Sequence, residues 1–190
     1  MFVRIKTVLA VFPLLFSCSS ADQKWSASDA RDTIISATPD TPAMQPLLAP
    51  ATEVNTGTTD RIALVNFAKT LMHVPYKYAS SDPVVGFDCS GFITYVFNHF
   101  NIAVPRSSVD FTNVGTTIDL MQAIPGDLIL FTGTDSTIRI VGHMGIITEN
   151  NNGQLKFIHS TSGKQNGVTI TPLERYYKSR FVKVIRVFPA

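Results

Sequence analysis

Between two runs rich in β-branched and aromatic residues the chain reads Asn152-Gly153. That pair closes a two-residue turn with both residues at positive φ, the twist that antiparallel strands need. It joins the runs at 144–148 and 155–159 into a hairpin, and further runs of the same character stand at 128–131, 168–171 and 181–188. Earlier in the chain the apolar period is helical. After Thr59-Asp60, an N-cap signal, Ile62, Leu64, Val65, Phe67, Ala68, Leu71 and Met72 form one stripe. A second helix is expected at about 89–100, with Phe92, Ile93, Val96, Phe97 and Phe100 on one side. Ser107 or Ser108 is placed to cap a short third helix that ends near Gly115. Helices first and strands afterwards predict an α+β domain, its N-terminal helices packed on an antiparallel β-sheet.

The first 58 residues obey neither period. Met1 to Lys6 is short and basic, and 7–16 (TVLAVFPLLF) is apolar. A run of that length is a signal-peptide core, well short of the roughly 20 residues that span a bilayer. Leu15-Phe16-Ser17-Cys18 follows it, and resembles the bacterial lipobox, whose cysteine sulfur takes a diacylglycerol and becomes the new N-terminus. The reading is a lipoprotein signal peptide at 1–17 and lipidation at Cys18. Residues 18–58 are then a Ser/Thr/Pro-rich linker with Pro39, Pro42, Pro46 and Pro50 at close intervals, too polar to offset its own ordering entropy. A flexible tether of about 40 residues reaches some 35 Å. The domain occupies 59–190. Removal of 1–17 takes away Arg4 and Lys6 and cancels the whole formal charge of +2, so no nucleic-acid partner is expected.

Two cysteines are present, Cys18 and Cys89, and their placement gives them separate tasks. Cys89 lies at a loop-to-helix transition, where the helix dipole favours thiolate and the small Ser90 and Gly91 leave room for substrate. On this reading iodoacetamide labels Cys89 well below pH ~8.5, the reference thiol value. His143 is flanked by glycines on or beside one strand of the hairpin, and His159 ends the other. Hairpin pairing puts both imidazoles on one face near the cysteine. The candidate catalytic set is therefore Cys89 as nucleophile, His143 as base and later acid, and His159 as orienter of the His143 ring. His73 and His99 receive no role. One Cys and two His without tight spacing leave a zinc site short of ligands, and neither metal nor cofactor is expected.

Six segments then stand in order. They are Pro75-Tyr76, Asp88-Cys89-Ser90-Gly91, Val104-Pro105-Arg106-Ser107-Ser108, Pro125-Gly126-Asp127-Leu128, Gly142-His143-Met144-Gly145-Ile146 and Phe157-Ile158-His159-Ser160-Thr161. This series resembles the NlpC/P60 family of cell-wall cysteine peptidases, whose fold is papain-like, over 60–188. The resemblance implies hydrolysis of peptidoglycan stem peptides at the bond between γ-D-glutamate and a diamino acid. It implies that Tyr76 assists the backbone N–H of Cys89 at the oxyanion, that Asp88 and Ser108 hold the amine of the first stem residue, and that Ser90 and Arg106 belong to the substrate-binding site. The chain departs from the family at Ala79 and Ser80, where two glycines are usual, in a loop one residue longer before Cys89, and at Phe111 in place of a Gln. These positions line the expected entrance and bear on substrate preference.

Two rival readings stay open: a lipoprotein that binds stem peptides without cutting them, and an amidase or acyltransferase on the same scaffold. A retained Cys, His and His argues against the first; the order Cys before His argues against permuted acyltransferases. The expected product is a monomer in the bacterial cell envelope, held to the membrane through the lipid on Cys18, on the outer membrane or the periplasmic side if the host is Gram-negative. Mass analysis of a Cys18→Ser variant should show loss of an acyl modification that the parent carries. A parent chain without lipid, in a host that processes lipoproteins, would refute the anchor.

Overall fold

The computed structural model describes residues 52–189. The expected signal peptide at 1–17, the Cys18 expected to carry lipid and the expected linker to residue 51 lie outside them. Among the described residues no helix is long and apolar enough to cross a membrane. The segment 52–58, which composition assigns to the end of the linker, runs along the domain. Thr52 bridges to Val114, Val54 packs on the core and Thr56 is buried.

Helix α1, Arg61–Thr70, starts where the Asp60 side chain accepts the Ile62 N–H at 2.8 Å, and buries Leu64, Val65 and Ala68. Two short strands follow, β1 (Ser81–Asp82) and β2 (Gly86–Phe87), and then helix α2, Cys89–His99. The expected third helix is a 3-10 turn, Ser108–Asn113, with Ser107 as its N-cap residue. The remaining elements are β3 (Thr116–Ile118), β4 (Leu128–Thr132), β5 (Val141–Asn151), β6 (Gln154–Thr161), β7 (Gly167–Pro172), helix α3 (Arg175–Arg180) and β8 (Phe181–Arg186). Six strands make one sheet in the order β3-β8-β4-β5-β6-β7, all neighbours antiparallel. The expected hairpin is β5–β6, and its turn has Asn152 at φ 52° and Gly153 at φ 85°. The fold class read from the sequence is therefore the one observed. Five pieces were not foreseen. The two- and three-residue strands are too short to show a period, α3 has no apolar stripe, and a 3-10 turn spans Leu120–Gln122.

The sheet is covered on both faces, which is why every residue of β4 is buried. Leu128 and Leu130 point into a core shared with α1 and α2, against Leu64, Phe92, Val96 and Phe97. Ile129 and Phe131 point the other way, into a smaller cluster with Ile147, Phe157 and Val184, closed by Tyr177 from α3. Helix α2 sits tight against the loop before it. A Cβ on Gly91 would lie 2.0 Å from the Ser80 carbonyl oxygen, so only glycine lets the first turn approach this closely.

Asp127 fixes the start of β4. Its carboxylate accepts the Ile124 N–H at 2.9 Å and two bonds from Arg186 at the end of β8, at 2.8 and 2.7 Å. The pair is nearly out of water, with side-chain exposures of 18% for Arg186 and 3% for Asp127. Removal of one partner of such a pair leaves an unmatched charge and typically costs about 3–5 kcal/mol. Asp127→Ala should lower the urea midpoint of unfolding accordingly, while Asp127→Asn, which keeps one acceptor oxygen, should lose less. An unchanged midpoint for both would show that the clamp is dispensable.

Candidate active site

Cys89 is the first residue of α2, and Asp88 before it caps the helix. The Asp88 carboxylate accepts the Gly91 N–H at 2.6 Å and the Ser90 hydroxyl at 3.3 Å. Arg106 donates to both of its oxygens, Nη1 at 3.0 Å and Nη2 at 2.6 Å, and donates from Nη1 to Ser90 Oγ at 3.0 Å. Three residues singled out in the sequence, Asp88, Ser90 and Arg106, thus form one hydrogen-bonded cluster at the foot of the helix. The Cys89 thiol points toward the start of β5, with Sγ 3.9 Å from the Gly142 carbonyl oxygen as acceptor.

The two histidines stand on neighbouring strands, β5 and β6, with 2.9 Å between His143 Nε2 and His159 Nδ1. His159 Nε2 lies 2.9 Å from the Thr171 hydroxyl on β7. The His143 ring is walled by Phe131 and Tyr177, each with its centroid 5.9 Å away, and His159 is fully buried. Hairpin register thus brings the imidazoles together on one face of the sheet. It also adds a third polar group, Thr171, that the sequence reading did not name.

Two cavities meet at Cys89, and Tyr76 and Gly142 line both. One, of about 640 Å³, has His143, Thr171, Tyr177 and Arg180 in its walls. The other, of about 490 Å³, has Asp88, Ser90, Arg106 and Ser108. Every candidate site residue except His159 and the undescribed Cys18 therefore borders one cavity or both, and His159 stands directly behind His143. A further cavity of about 400 Å³, between residues 53–57 and 186–189, contains none of them. Among the described residues no group of three His, Cys, Asp or Glu side chains is arranged to hold a metal ion.

The electrostatics correct one expectation. Burial pushes the Cys89 thiol up from its ordinary value, and the Asp88 carboxylate pushes it further, while the N–H groups of Ser90, Cys89 and Met144 pull the other way without prevailing. Burial drives His143 well below the usual imidazole range, helped by His159 and by Arg180. His159 falls to about 3 for the same two reasons, burial and the Arg180 charge. The resting site at neutral pH holds a thiol and two neutral imidazoles. The helix dipole alone does not yield the thiolate expected from the position of Cys89, because desolvation of the anion outweighs it. Burial also raises the Tyr76 hydroxyl, helped by Cys89 once that thiol ionises and by Asp88, so the hydroxyl stays protonated and able to donate.

Thr171, Tyr177 and Arg180 are the site residues that sequence reasoning missed. A single Thr in an edge strand and a short helix without a stripe give no signal before the chain is folded.

The NlpC/P60 family model matches residues 73–186, more than half of the chain. Gamma-DL-glutamyl hydrolase of Bacillus subtilis (strain 168) is 33% identical over 137 residues, which cover 71% of this chain and 32% of that protein. The probable endopeptidase NlpC of Escherichia coli (strain K12) is 33% identical over 116 residues, 60% of this chain and 69% of that one. A solved NlpC/P60 family protein from Bacillus cereus superposes with a TM-score of 0.62 at 28% identity, over 70% of this chain and 42% of that one. The chain spans about a third of the length of the Bacillus subtilis hydrolase and under half of the Bacillus cereus protein.

A resting thiol has a direct consequence for labelling. The rate of Cys89 alkylation by iodoacetamide in the free protein should stay low through neutral pH and rise only above about 8.5, the reference thiol value. Replacement of Asp88 by Asn removes the neighbouring anion and should move that rise to lower pH. A plateau of reactivity already reached at pH 6 would mean a preformed thiolate.

Proposed function

The chain belongs to the NlpC/P60 family, and from that premise we propose that it is a peptidoglycan hydrolase, a cysteine endopeptidase that cuts stem peptides at the bond between γ-D-glutamate and a diamino acid. We further propose that it works in the cell envelope, tethered by lipid on Cys18. The observation that carries the catalytic reading is the 2.9 Å contact between His143 Nε2 and His159 Nδ1, with His143 sharing one cavity wall with Cys89.

The network sets the tautomers. For His143 to accept the thiol proton at Nδ1, its Nε2 must carry hydrogen and donate to His159 Nδ1. His159 then carries its own hydrogen on Nε2 and donates to Thr171 Oγ1 at 2.9 Å. One chain of donors, His143 to His159 to Thr171, leaves the His143 Nδ1 lone pair free. Cys89 Sγ attacks the γ-carbonyl carbon as its proton passes to His143. The oxyanion is met by the Cys89 N–H and the Tyr76 hydroxyl. Collapse breaks the C–N bond, and His143 returns the proton to the departing amine. Water, deprotonated by the same imidazole, then hydrolyses the thioester and frees Cys89.

Neutral imidazoles suit this order of events. Protonated His143 is disfavoured by burial and by Arg180, so its proton is readily given to the leaving amine. The acyl half lies toward the cavity of Asp88 and Ser108, where the amine of the first stem residue is held. Names among the relatives support the reading: a gamma-DL-glutamyl hydrolase and a probable endopeptidase.

Digestion of purified muropeptides, followed by chromatography and mass spectrometry, tests both bond and roles. Cys89→Ala should fold and lose turnover, and His143→Ala should fall to near background, a loss of about 10²–10⁴ in rate for a general base. His159→Asn and His159→Gln, whose amide oxygens still accept from His143, should keep part of the activity, and His159→Ala less. Thr171→Val should lower kcat with little change in KM, and Thr171→Ser should restore it. Full activity in His143→Ala alongside a dead His159→Asn would reverse the assignment. Products cut between sugar and peptide would replace the endopeptidase with an amidase.

A further inference from the structure

We infer that the cavity on the His143 side of Cys89 is a subsite for a free carboxylate on the leaving half of the substrate, read by Arg180 and Lys164. The inference rests on the peptidase reading above and turns it into a requirement on the charge of the departing residue.

The position follows from the chemistry. The imidazole that hands a proton to the departing amine must stand beside that amine. His143 lines this cavity and is absent from the one that holds Asp88 and Ser108. The departing residue therefore occupies the His143 side. Among the described residues no Asp or Glu borders that side, while Lys164 and Arg180 both do.

Arg180 is the stronger observation. The residue is only 6% exposed. Its Nε donates to the Gly133 carbonyl at 2.7 Å and its Nη2 to the Thr132 carbonyl at 2.9 Å. The guanidinium lies over the rings of Tyr176 and Tyr177, 4.8 and 5.7 Å from their centroids. The ion pairs among the described residues join Arg106 to Asp88, Lys156 to Glu149 and Arg186 to Asp127, and none includes Arg180. A guanidinium so far from water is ordinarily matched by an anion. A purely architectural role, tying α3 to the end of β4, uses only Nε and Nη2. Nη1 has no hydrogen-bond partner among the described residues, and no fully buried side-chain nitrogen there is left without one, so Nη1 keeps access to solvent on a residue that lines this cavity. Lys164, exposed on the β6–β7 turn, stands in the same cavity wall with a flexible stem and no ion-pair partner among the described residues. A fixed fork and a mobile ammonium around one space suit a carboxylate.

A stem peptide offers that group from two sources: the terminal α-carboxylate of a stem that ends at the departing residue, or the side-chain carboxylate of a diamino dicarboxylic acid. Four synthetic substrates separate them. Each carries L-Ala-γ-D-Glu as the acyl half and a diamino dicarboxylic residue as the leaving half, with neither carboxyl amidated, one or the other amidated, or both. With the full chain, amidation of both should lower kcat/KM by about tenfold or more, the scale of one charge-assisted bond. The single amides identify which carboxylate is read. Lys164→Glu, on an exposed turn, should narrow or invert the acid-over-amide ratio, and Arg180→Lys, with its fold checked by circular dichroism, should narrow it. Equal cleavage of all four substrates would overturn the inference and leave the peptidase reading standing. A ratio that persists undiminished in both variants would also overturn it. Cleavage of none would remove the peptidase reading and this inference together.

Discussion

The carboxylate of Asp88 accepts the Gly91 N–H at 2.6 Å and is gripped by both terminal nitrogens of Arg106. That one group decides where α2 begins, and with it the position of Cys89. The helix cannot slide, because Gly91 lies against the Ser80 carbonyl, and the Asp88 N–H donates to that same carbonyl at 3.0 Å. The loop that carries Tyr76 is held in turn, since the Phe87 N–H donates to the Pro75 carbonyl at 3.0 Å and the Lys77 N–H to the Phe87 carbonyl at 3.0 Å. The proposed nucleophile, the proposed oxyanion donor and the acyl-side cavity are thus fixed to one another through short backbone bonds. The anion that does this also raises the thiol. Position is gained at the expense of thiolate.

On the other side of Cys89 the sheet does the positioning. His143 and His159 occupy adjacent strands whose register the Asn152-Gly153 turn sets, and a one-residue slip of one strand against the other would part the two rings onto opposite faces. Gly145 leaves room for them. A Cβ there would meet the Phe157 ring at 2.7 Å and the His159 Cβ at 3.2 Å. The rings are then enclosed by Phe131, Phe157 and Tyr177. Such walls exclude water and so disfavour imidazolium, and Arg180 beyond Tyr177 adds like charge. Neutral imidazoles and an unmatched guanidinium are two results of one arrangement.

The sequence disclosed what depends on period and on local turn chemistry. Both major helices and the five longer strands are legible because each has a stripe, an alternation or a turn pair. Cys89, His143 and His159 are legible because the six segments in order supply a context that no single residue has. Asp88 was read as a contact for substrate, and its work as cap and clamp became visible only with Arg106, 18 positions away, folded against it. Thr171 and Arg180 could not be found beforehand. A Thr on an edge strand is ordinary until a buried ring nitrogen is seen to need an acceptor. An Arg in a six-residue helix is ordinary until it is seen without water and without a carboxylate. In both cases the missing information is a long-range contact, which composition and period do not encode.

Of the departures expected to line the entrance, Phe111 lies instead wholly buried in the core shared with α1 and α2, and those in the loop before Cys89 have a physical account of their own. Ala79 takes the position of a usual glycine, yet it has φ 58°, the left-handed conformation that glycine adopts without penalty and an alanine at a cost of about 1–2 kcal/mol. The backbone path there is evidently imposed from outside. The Ser80 N–H donates to the Lys77 carbonyl at 3.3 Å, and the Asp88 N–H to the Ser80 carbonyl, so residue 79 has no other way to turn. The methyl group of Ala79 thus borders the acyl-side cavity on an unchanged frame. Tyr78, Val84 and Val85 are exposed on the same loop, and Asp82 stabilises its tip by accepting the Val84 N–H at 2.8 Å. The sequence change therefore alters the surface that an incoming chain must pass while leaving Cys89 and the proposed amine site where they were. Under the proposed function, a lip made apolar and slightly strained, on a frame held by these backbone bonds, would act on which substrates enter rather than on how the bond is cut.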